Sequence, residues 1–446
     1  MSLPYLTPLL LALLLYLSIG VGYAFRTPIW QAPDEPAHFN YVRHIAEGHG
    51  LPELRPGDYP AEYLQELINS KFPPDKSIDT IEYEYHHPPL YYLLGALPFK
   101  LSEAMGTEGQ VHLLRIFSLL IGIVPVVATY FIARILFPLE DFIQAAAPFF
   151  LLVPQHVAIA ASVNNDMAAE AVVSILLLGL VQLVTEDHIF GLDFSKGVFR
   201  IWGLLGVLLG VTLLTKTTAY ISVGMITLAL FLVWKPFGGD PRLWRGWFVS
   251  LLFVFIISLV ISGLWFWRNA SLYGWPDLLG LERHAQVVTG QPRPEGVDLA
   301  TTTALVTTMF KSFWLQLGWM ALPAEEWVYL PLAILTALVT IGLIIYLARL
   351  FARRSQFYIK EVHGLVLLGS TVVFAVGALV FYNFQFIQPQ GRYLFSAMPA
   401  LSVLFALGAS EVFGRRFRWL ALGLIVLGLV GLNLRAIIFY LPLLAA

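Results

Sequence analysis

Apolar runs of about twenty residues recur along the chain, separated by short polar connections and by two long ones. A bilayer core takes roughly 20 helical residues to cross, and inside it backbone amides must be satisfied within their own helix. The runs therefore read as membrane-spanning helices. The first is Leu3 to Ala24, and others fall at 111–136, 142–162, 166–185, 199–215, 218–234, 247–267, 327–349, 363–384, 393–411 and 419–440. That predicts about eleven spans. Gly22-Tyr23-Ala24 weakly resembles a signal-peptide cleavage site. No Lys or Arg precedes the run, however, and its length is that of a full span, so it is read as the first helix.

The long connections lie at 25–110 and 268–326, within what reads as a single membrane domain, 1–446. From Asp34 the first connection has helical character, with Pro36 in the donor-free first turn and Asp34 or Glu35 placed to cap it. Counting from Asp34, His38, Tyr41 and Ile45 share one face, which predicts a helix lying on the membrane surface. Leu90 to Leu101 is a second apolar helix, too short to span.

Composition agrees. With 446 residues, 58% hydrophobic, 13% charged and a mean hydropathy of +0.74, the chain is an all-α polytopic membrane protein. The net charge of −2 with scattered basic residues gives no reason to expect a nucleic-acid partner. The absence of cysteine excludes disulfides, thiolate metal sites and cysteine nucleophiles. Basic residues gather on one set of connections: Arg134; Lys196 and Arg200; Lys235, Arg242 and Arg245; Arg349, Arg353, Arg354 and Lys360; Arg415, Arg416 and Arg418. The positive-inside rule puts these in the cytoplasm and both long connections outside. Asp34 and Glu35 then lie on the outer face. Gly203, Gly206 and Gly210 line one face of a span and read as helix packing. There is no phosphate loop, dinucleotide fingerprint, internal repeat or inverted symmetry of broken helices.

Four motifs stand in order: Asp34-Glu35 after the first span, His87-Pro88-Pro89-Leu90-Tyr91-Tyr92 ending the first long connection, Asn164-Asn165-Asp166 opening the fourth span, and Gly391-Arg392-Tyr393-Leu394-Phe395 opening the tenth. As a set they resemble the GT-C integral-membrane glycosyltransferases, the group of protein O-mannosyltransferases, aminoarabinose transferases and bacterial relatives. The resemblance implies a GT-C fold and a hexosyl- or pentosyltransferase of a bacterial cytoplasmic membrane, its N-terminus cytoplasmic. It also implies a polyprenyl-phosphate-linked sugar donor, transfer on the outer face, and a lipid-linked, glycan or protein acceptor. Many of these enzymes carry a lysine before the Pro-Pro pair, where this chain has His87.

The residue chemistry is compatible with that. A hydroxyl attacking an anomeric carbon needs a base; the resemblance favours the first acid, Asp34, for that role, with Glu35 in support, and Asp166 is a candidate second acid. A phosphate leaves as an anion, so one carboxylate suffices for an inverting displacement. The phosphate needs cations, and the candidates are Arg392, Lys216 and Arg268, with His87 at the position of the lysine. Each has a plainer reading. Asp34, Asn165 and Asp166 could be helix caps, and Arg392 with Tyr393, Arg268 or Lys216 could be interfacial anchors. His38, His86 and His87 with two acids make a divalent metal possible, but their spacing matches no closed metal motif, so no metal ligand is assigned and no cofactor is required. The competing function is a transporter or flippase of lipid-linked saccharide, whose acids belong near the bilayer midplane. A structural subunit of an envelope assembly is the third class.

Overall fold

The first apolar run becomes helix α1, Leu3–Arg26, ending on a basic residue where the helix dipole favours one. The computed structural model of the protein describes residues 3–292, 299–352 and 358–445. The first long connection folds into α2 (Glu35–Ala46), α3 (Ala61–Asn69) and α4 (Leu90–Leu101), the last with the bounds expected from its apolar run. Then come α5 (Gly106–Ile121), α6 (Ile123–Leu136), α7 (Asp141–Ala146), α8 (Pro154–Ala160), α9 (Asp166–Glu186), α10 (Phe194–Leu213), α11 (Ile221–Trp234) and α12 (Pro241–Tyr273). The second connection holds α13 (Leu281–Val287) and α14 (Leu299–Trp314), followed by α15 (Glu326–Ala352), α16 (Tyr358–Asn383) and α17 (Met398–Arg435). The only strands among the described residues form two antiparallel hairpins, with His188 opposite Asp193 and Gln316 opposite Pro323.

Among the described residues nine helices are long and apolar enough to cross a membrane, or ten if one bent pair counts as a span. The eleven expected spans differ from this at two places. The run 142–162 does not form a straight helix: Pro154 cannot donate to the helical ladder, and Asp141–Leu152 meets Pro154–Ala160 at 65°. The runs 393–411 and 419–440 fall within one helical stretch, Gly391–Leu444, broken at Gly414 (φ 59°, ψ 173°). That conformation is essentially open to glycine alone. Hydropathy registers apolar length, not these breaks.

Helix α9 is the enclosed centre, packed against α5, α6, α10, α11 and α16, with Met167, Val173, Leu176 and Leu180 fully buried. Outer helices instead expose Leu14, Val260, Leu264 and Leu427, a surface suited to lipid. Helices α10 and α12 approach closely: a Cβ at Gly206 or Gly210 would lie 2.6 Å from Ile257 or 2.7 Å from Ile261. Gly203 faces open space and takes no part in that contact.

The first long connection has a hydrophobic core of its own, including Trp30, Phe39, Val42, Leu54, Leu67, Ile81 and Tyr92. It sits at the end of the bundle where α9 begins. At the other end, beyond the last turn of α9, Asp187 pairs with Lys360 (3.3 Å) and Arg418 with Glu140 (2.9 Å). These pairs join connections that the charge pattern assigns to one side. Arg353 and Arg354 lie outside the described residues.

Candidate active site

Four segments distant in sequence meet at the α9 start: the turn before α2, residues 83–92, Asn164-Asn165-Asp166, and the turn Gly391–Ala397. Asp34 ends the first of these in the left-handed region (φ 64°, ψ −1°), which for a residue with a Cβ costs about 1–3 kcal/mol. Its neighbour holds it there. Glu35 is fully buried, and Arg115 donates to both its oxygens, Nη2 at 2.6 Å and Nε at 2.8 Å. The Trp30 and Val163 amides, each at 3.1 Å, donate to it as well. Arg115 also donates to the carbonyls of Ala24, Thr27 and Pro28, tying the end of α1 to the start of α2. Glu35 is thus an anchor with its acceptor capacity used.

Asp34 makes no side-chain cap. Its Oδ1 accepts from the Tyr83 hydroxyl at 2.7 Å, and its Oδ2 pairs with Arg392 Nη2. Burial, and then the Asp34 charge, push the Tyr83 phenol well above its ordinary pKa, which keeps it a donor. Arg392 follows Gly391, whose backbone lies so close to α14 that a Cβ would fall 2.4 Å from the Phe313 amide nitrogen. The Gly391 amide donates to Ser312 Oγ at 2.8 Å. The guanidinium is carried inward beside Tyr393, its centre 5.6 Å from that ring. Its Nε and Nη1 are buried without a hydrogen-bond acceptor among the described residues. Such donors are costly unless an anion meets them.

Asp166 opens α9 and pairs with Lys216 at 2.6 Å, both side chains buried, while its Oδ2 has no partner among the described residues. The capping at this terminus comes from Asn164, whose Oδ1 accepts from the Asp166 amide at 2.7 Å. Neither Asn165 nor Asp166 caps. Asn165 Nδ2 instead donates to the Tyr92 hydroxyl (3.2 Å), which also meets His38 Nδ1 (2.9 Å). The Tyr92 ring lies flat on Tyr41 at 3.6 Å.

His87 Nε2 pairs with Glu84 at 2.7 Å, and His86 Nδ1 lies 3.1 Å from the Tyr83 carbonyl, its ring 4.3 Å from His284. Burial lowers His38 and His284 to about 4, so both imidazoles are neutral at pH 7. Burial opposes the Glu84 charge too, but His87 and His38 outweigh it and hold that carboxyl well below the usual range. Glu84, His86 and His87 present ligand atoms within 4.8 Å of one another, all buried. One carboxylate and two imidazoles suit zinc or manganese. The acid in this cluster is Glu84, not Asp34 or Glu35.

Arg268 stands apart from the ion pairs. It donates to the carbonyls of Leu51 (3.1 Å) and Pro52 and lies 5.1 Å from the Trp265 ring, clamping the first connection to the end of α12. Sequence reasoning missed Tyr83, Glu84 and Arg115. The first two could have been found in Tyr83-Glu84-Tyr85, polar and aromatic, immediately ahead of His86. Arg115 sits inside an apolar run, where a lone cation signals a buried partner.

Residues 86–267, which carry two of the four motifs, match the family described as dolichyl-phosphate-mannose-protein mannosyltransferase. The architecture superposes on ArnT from Cupriavidus metallidurans, solved with undecaprenyl phosphate (TM-score 0.56, 17% identity), over 96% of this chain and 65% of that one. It also superposes on an Archaeoglobus fulgidus oligosaccharyltransferase tethered to an acceptor peptide (TM-score 0.53, 14% identity), over 100% and 55%. The chain has the GT-C fold. A third GT-C structure, AglB from Archaeoglobus fulgidus with an inhibitory peptide and a dolichol-phosphate, matches at TM-score 0.52 and 13% identity, over 99% and 55%. This GT-C chain therefore spans between about half and two thirds of the length of these solved proteins. No curated protein sequence matches it.

Proposed function

We propose that the protein is a glycosyltransferase that moves a sugar from a polyprenyl-phosphate donor to an acceptor hydroxyl on the outer side of a bacterial cytoplasmic membrane. The observation that carries this is Arg392: a buried guanidinium with two nitrogens, Nε and Nη1, that have no partner among the described residues, paired through the third nitrogen with the carboxylate best placed to be a base. ArnT carries undecaprenyl phosphate and AglB a dolichol-phosphate, which supports a lipid phosphate as the anion.

The acceptor oxygen bonds to the anomeric carbon while its proton passes to Asp34. The bond from that carbon to the phosphate oxygen breaks, its electron pair leaves on the phosphate, and configuration inverts. Arg392 and Lys216 carry the charge that develops on the leaving group in a site of low dielectric. Phosphate binding draws Arg392 away from Asp34, so the carboxylate becomes a free base only beside a bound donor. Asp166 holds Lys216 in place, and Asn165, Tyr92 and His38 brace the same wall. Glu84, His86 and His87 are the residues that would hold a divalent cation, which would supply further positive charge at this end of the bundle. A saccharide transporter is not favoured: Asp34 lies outside the spans and Asp166 is the first residue of one.

The test is Arg392→Lys. Arginine offers a planar fork to phosphate and lysine a point charge, whereas either serves as a membrane anchor. The stabilisation of the detergent-solubilised protein by undecaprenyl phosphate should weaken by at least about 1 kcal/mol, with little change in basal stability. Equal stabilisation of both proteins would remove Arg392 from phosphate binding and the reading with it.

A further inference from the structure

Asp34 has a second side. It also borders a cavity of about 310 Å3, lined by the turn before α2, helix α3 and the residues Gln291, Trp319, Gln388 and Gln390, with Arg392 not among the described lining residues. That volume is at the lower end of small-molecule sites, which run roughly 300–1,000 Å3. Among the described lining residues Asp34 is the only charged one, and five are carboxamides: Gln65, Asn69, Gln291, Gln388 and Gln390. Three of them form a row. Gln390 Nε2 donates to Gln388 (2.7 Å), Gln388 Nε2 to Gln291 (2.7 Å), and Gln291 Nε2 to the Tyr59 hydroxyl (3.3 Å).

The row is held from behind. Asn383 bonds both the amide (2.9 Å) and the carbonyl (3.3 Å) of Gln388, and the Ile387 amide donates to the Pro292 carbonyl at 2.9 Å. Trp319 lines the cavity with its indole N–H fixed on the Trp30 carbonyl at 2.9 Å. A carboxamide has two donors and two acceptor sites; each member of the row spends one N–H on its neighbour, Gln388 and Gln291 also spend one acceptor site, and each keeps one N–H and at least one acceptor site for a ligand. Uncharged groups that both donate and accept match hydroxyls, which do the same. They offer an anion no compensating charge, and Asp34 repels one.

We infer that this chamber is the acceptor subsite and that it takes a neutral, hydroxyl-rich group: a saccharide ring, one hydroxyl of which meets Asp34. This rests on the transferase reading above, and it puts acceptor and donor phosphate on opposite sides of one carboxylate.

The experiment uses the full chain in detergent and two independent readouts. Ligand-observed saturation-transfer NMR is recorded with methyl glycosides of mannose, galactose and N-acetylglucosamine, with glycerol phosphate, and with a serine-containing hexapeptide. Thermal shift with undecaprenyl phosphate is recorded alongside and also reports folding. At least one neutral glycoside should receive saturation, and Gln388→Leu and Gln390→Leu should each reduce it by at least about threefold, the scale of one neutral hydrogen bond. The lipid-phosphate shift should be unchanged in both variants. Saturation of no glycoside, equal saturation in wild type and both variants, or binding of the peptide or glycerol phosphate alone would overturn the inference. Should the glycoside bind through the carboxamides while undecaprenyl phosphate gives wild type no shift, the saccharide chamber stands and the transferase reading falls. The reverse pattern overturns the chamber alone.

Discussion

Asp34 is held by opposite demands: Tyr83 and Arg392 stabilise its charge, while its left-handed backbone is maintained by the buried pair beside it. Asp34→Asn keeps the size of the side chain and tolerates that backbone, but removes its basicity. Turnover should fall by at least about a hundredfold with donor binding retained, measured by single-turnover transfer and by thermal shift. Transfer near the wild-type rate would deny Asp34 the role of base. His38 yields a pH prediction. Unfolded, it takes a proton near 6.5, whereas in the folded protein burial lowers it to about 4. Between those values the unfolded chain binds more protons, so its contribution is full above pH 6.5 and is lost as pH falls toward 4. At 1.36 kcal/mol per unit this amounts to about 3 kcal/mol. Melting curves of His38→Gln between pH 7 and 4.5 should show a visibly shallower acid decline than wild type. Parallel curves would mean that His38 is not the group responsible.

Helix α2 is positioned from its first residue. Glu35 and Arg115 are both fully buried, and Arg115 reaches three carbonyls at the α1 end besides the carboxylate. Removing one partner of a buried pair leaves the other charge without compensation, at a cost of about 3–5 kcal/mol. Arg115→Leu should lower stability by that amount in denaturant melts and, by releasing the turn, abolish transfer even in the fraction that remains folded. A loss below about 1 kcal/mol would show that other contacts hold α2. This pair also gives the physical ground for dividing Asp34 from Glu35, which the sequence reading drew only from resemblance. Two adjacent acids at a helix start look alike in sequence, and only the approach of Arg115 from eighty residues away makes one an anchor and leaves the other facing the site. The same holds at α9, where Asn164 takes the cap and frees Asn165 and Asp166 for the site.

For the whole molecule, the ion-pair cluster and the pairs around Asp187 and Arg418 lie at opposite ends of the bundle, as the basic connections imply. The chain has no cysteine, so single cysteines report sidedness without background. In intact cells a membrane-impermeant maleimide should label Glu47→Cys, in the exposed connection after α2, and should reach Arg415→Cys only after permeabilisation. The opposite pattern would place the site in the cytoplasm, where polyprenyl donors on the outer leaflet are out of reach.

Read alone, the sequence establishes the membrane class, most of the span positions, helix α4 and the four motifs that come together, because apolar length and local spacing are properties of a single stretch of chain. Tertiary structure decided the rest. It showed where Pro154 and Gly414 break their helices, which apolar length does not register. It removed Arg268 from the site by tying it to Leu51 and Pro52. It brought in Tyr83, bonded to Asp34 49 residues away, and the glutamine row, in which Gln388 meets Gln291 97 residues away. An ion pair, a cation's free donors and a chamber's lining are relations between distant segments, and no local pattern encodes them.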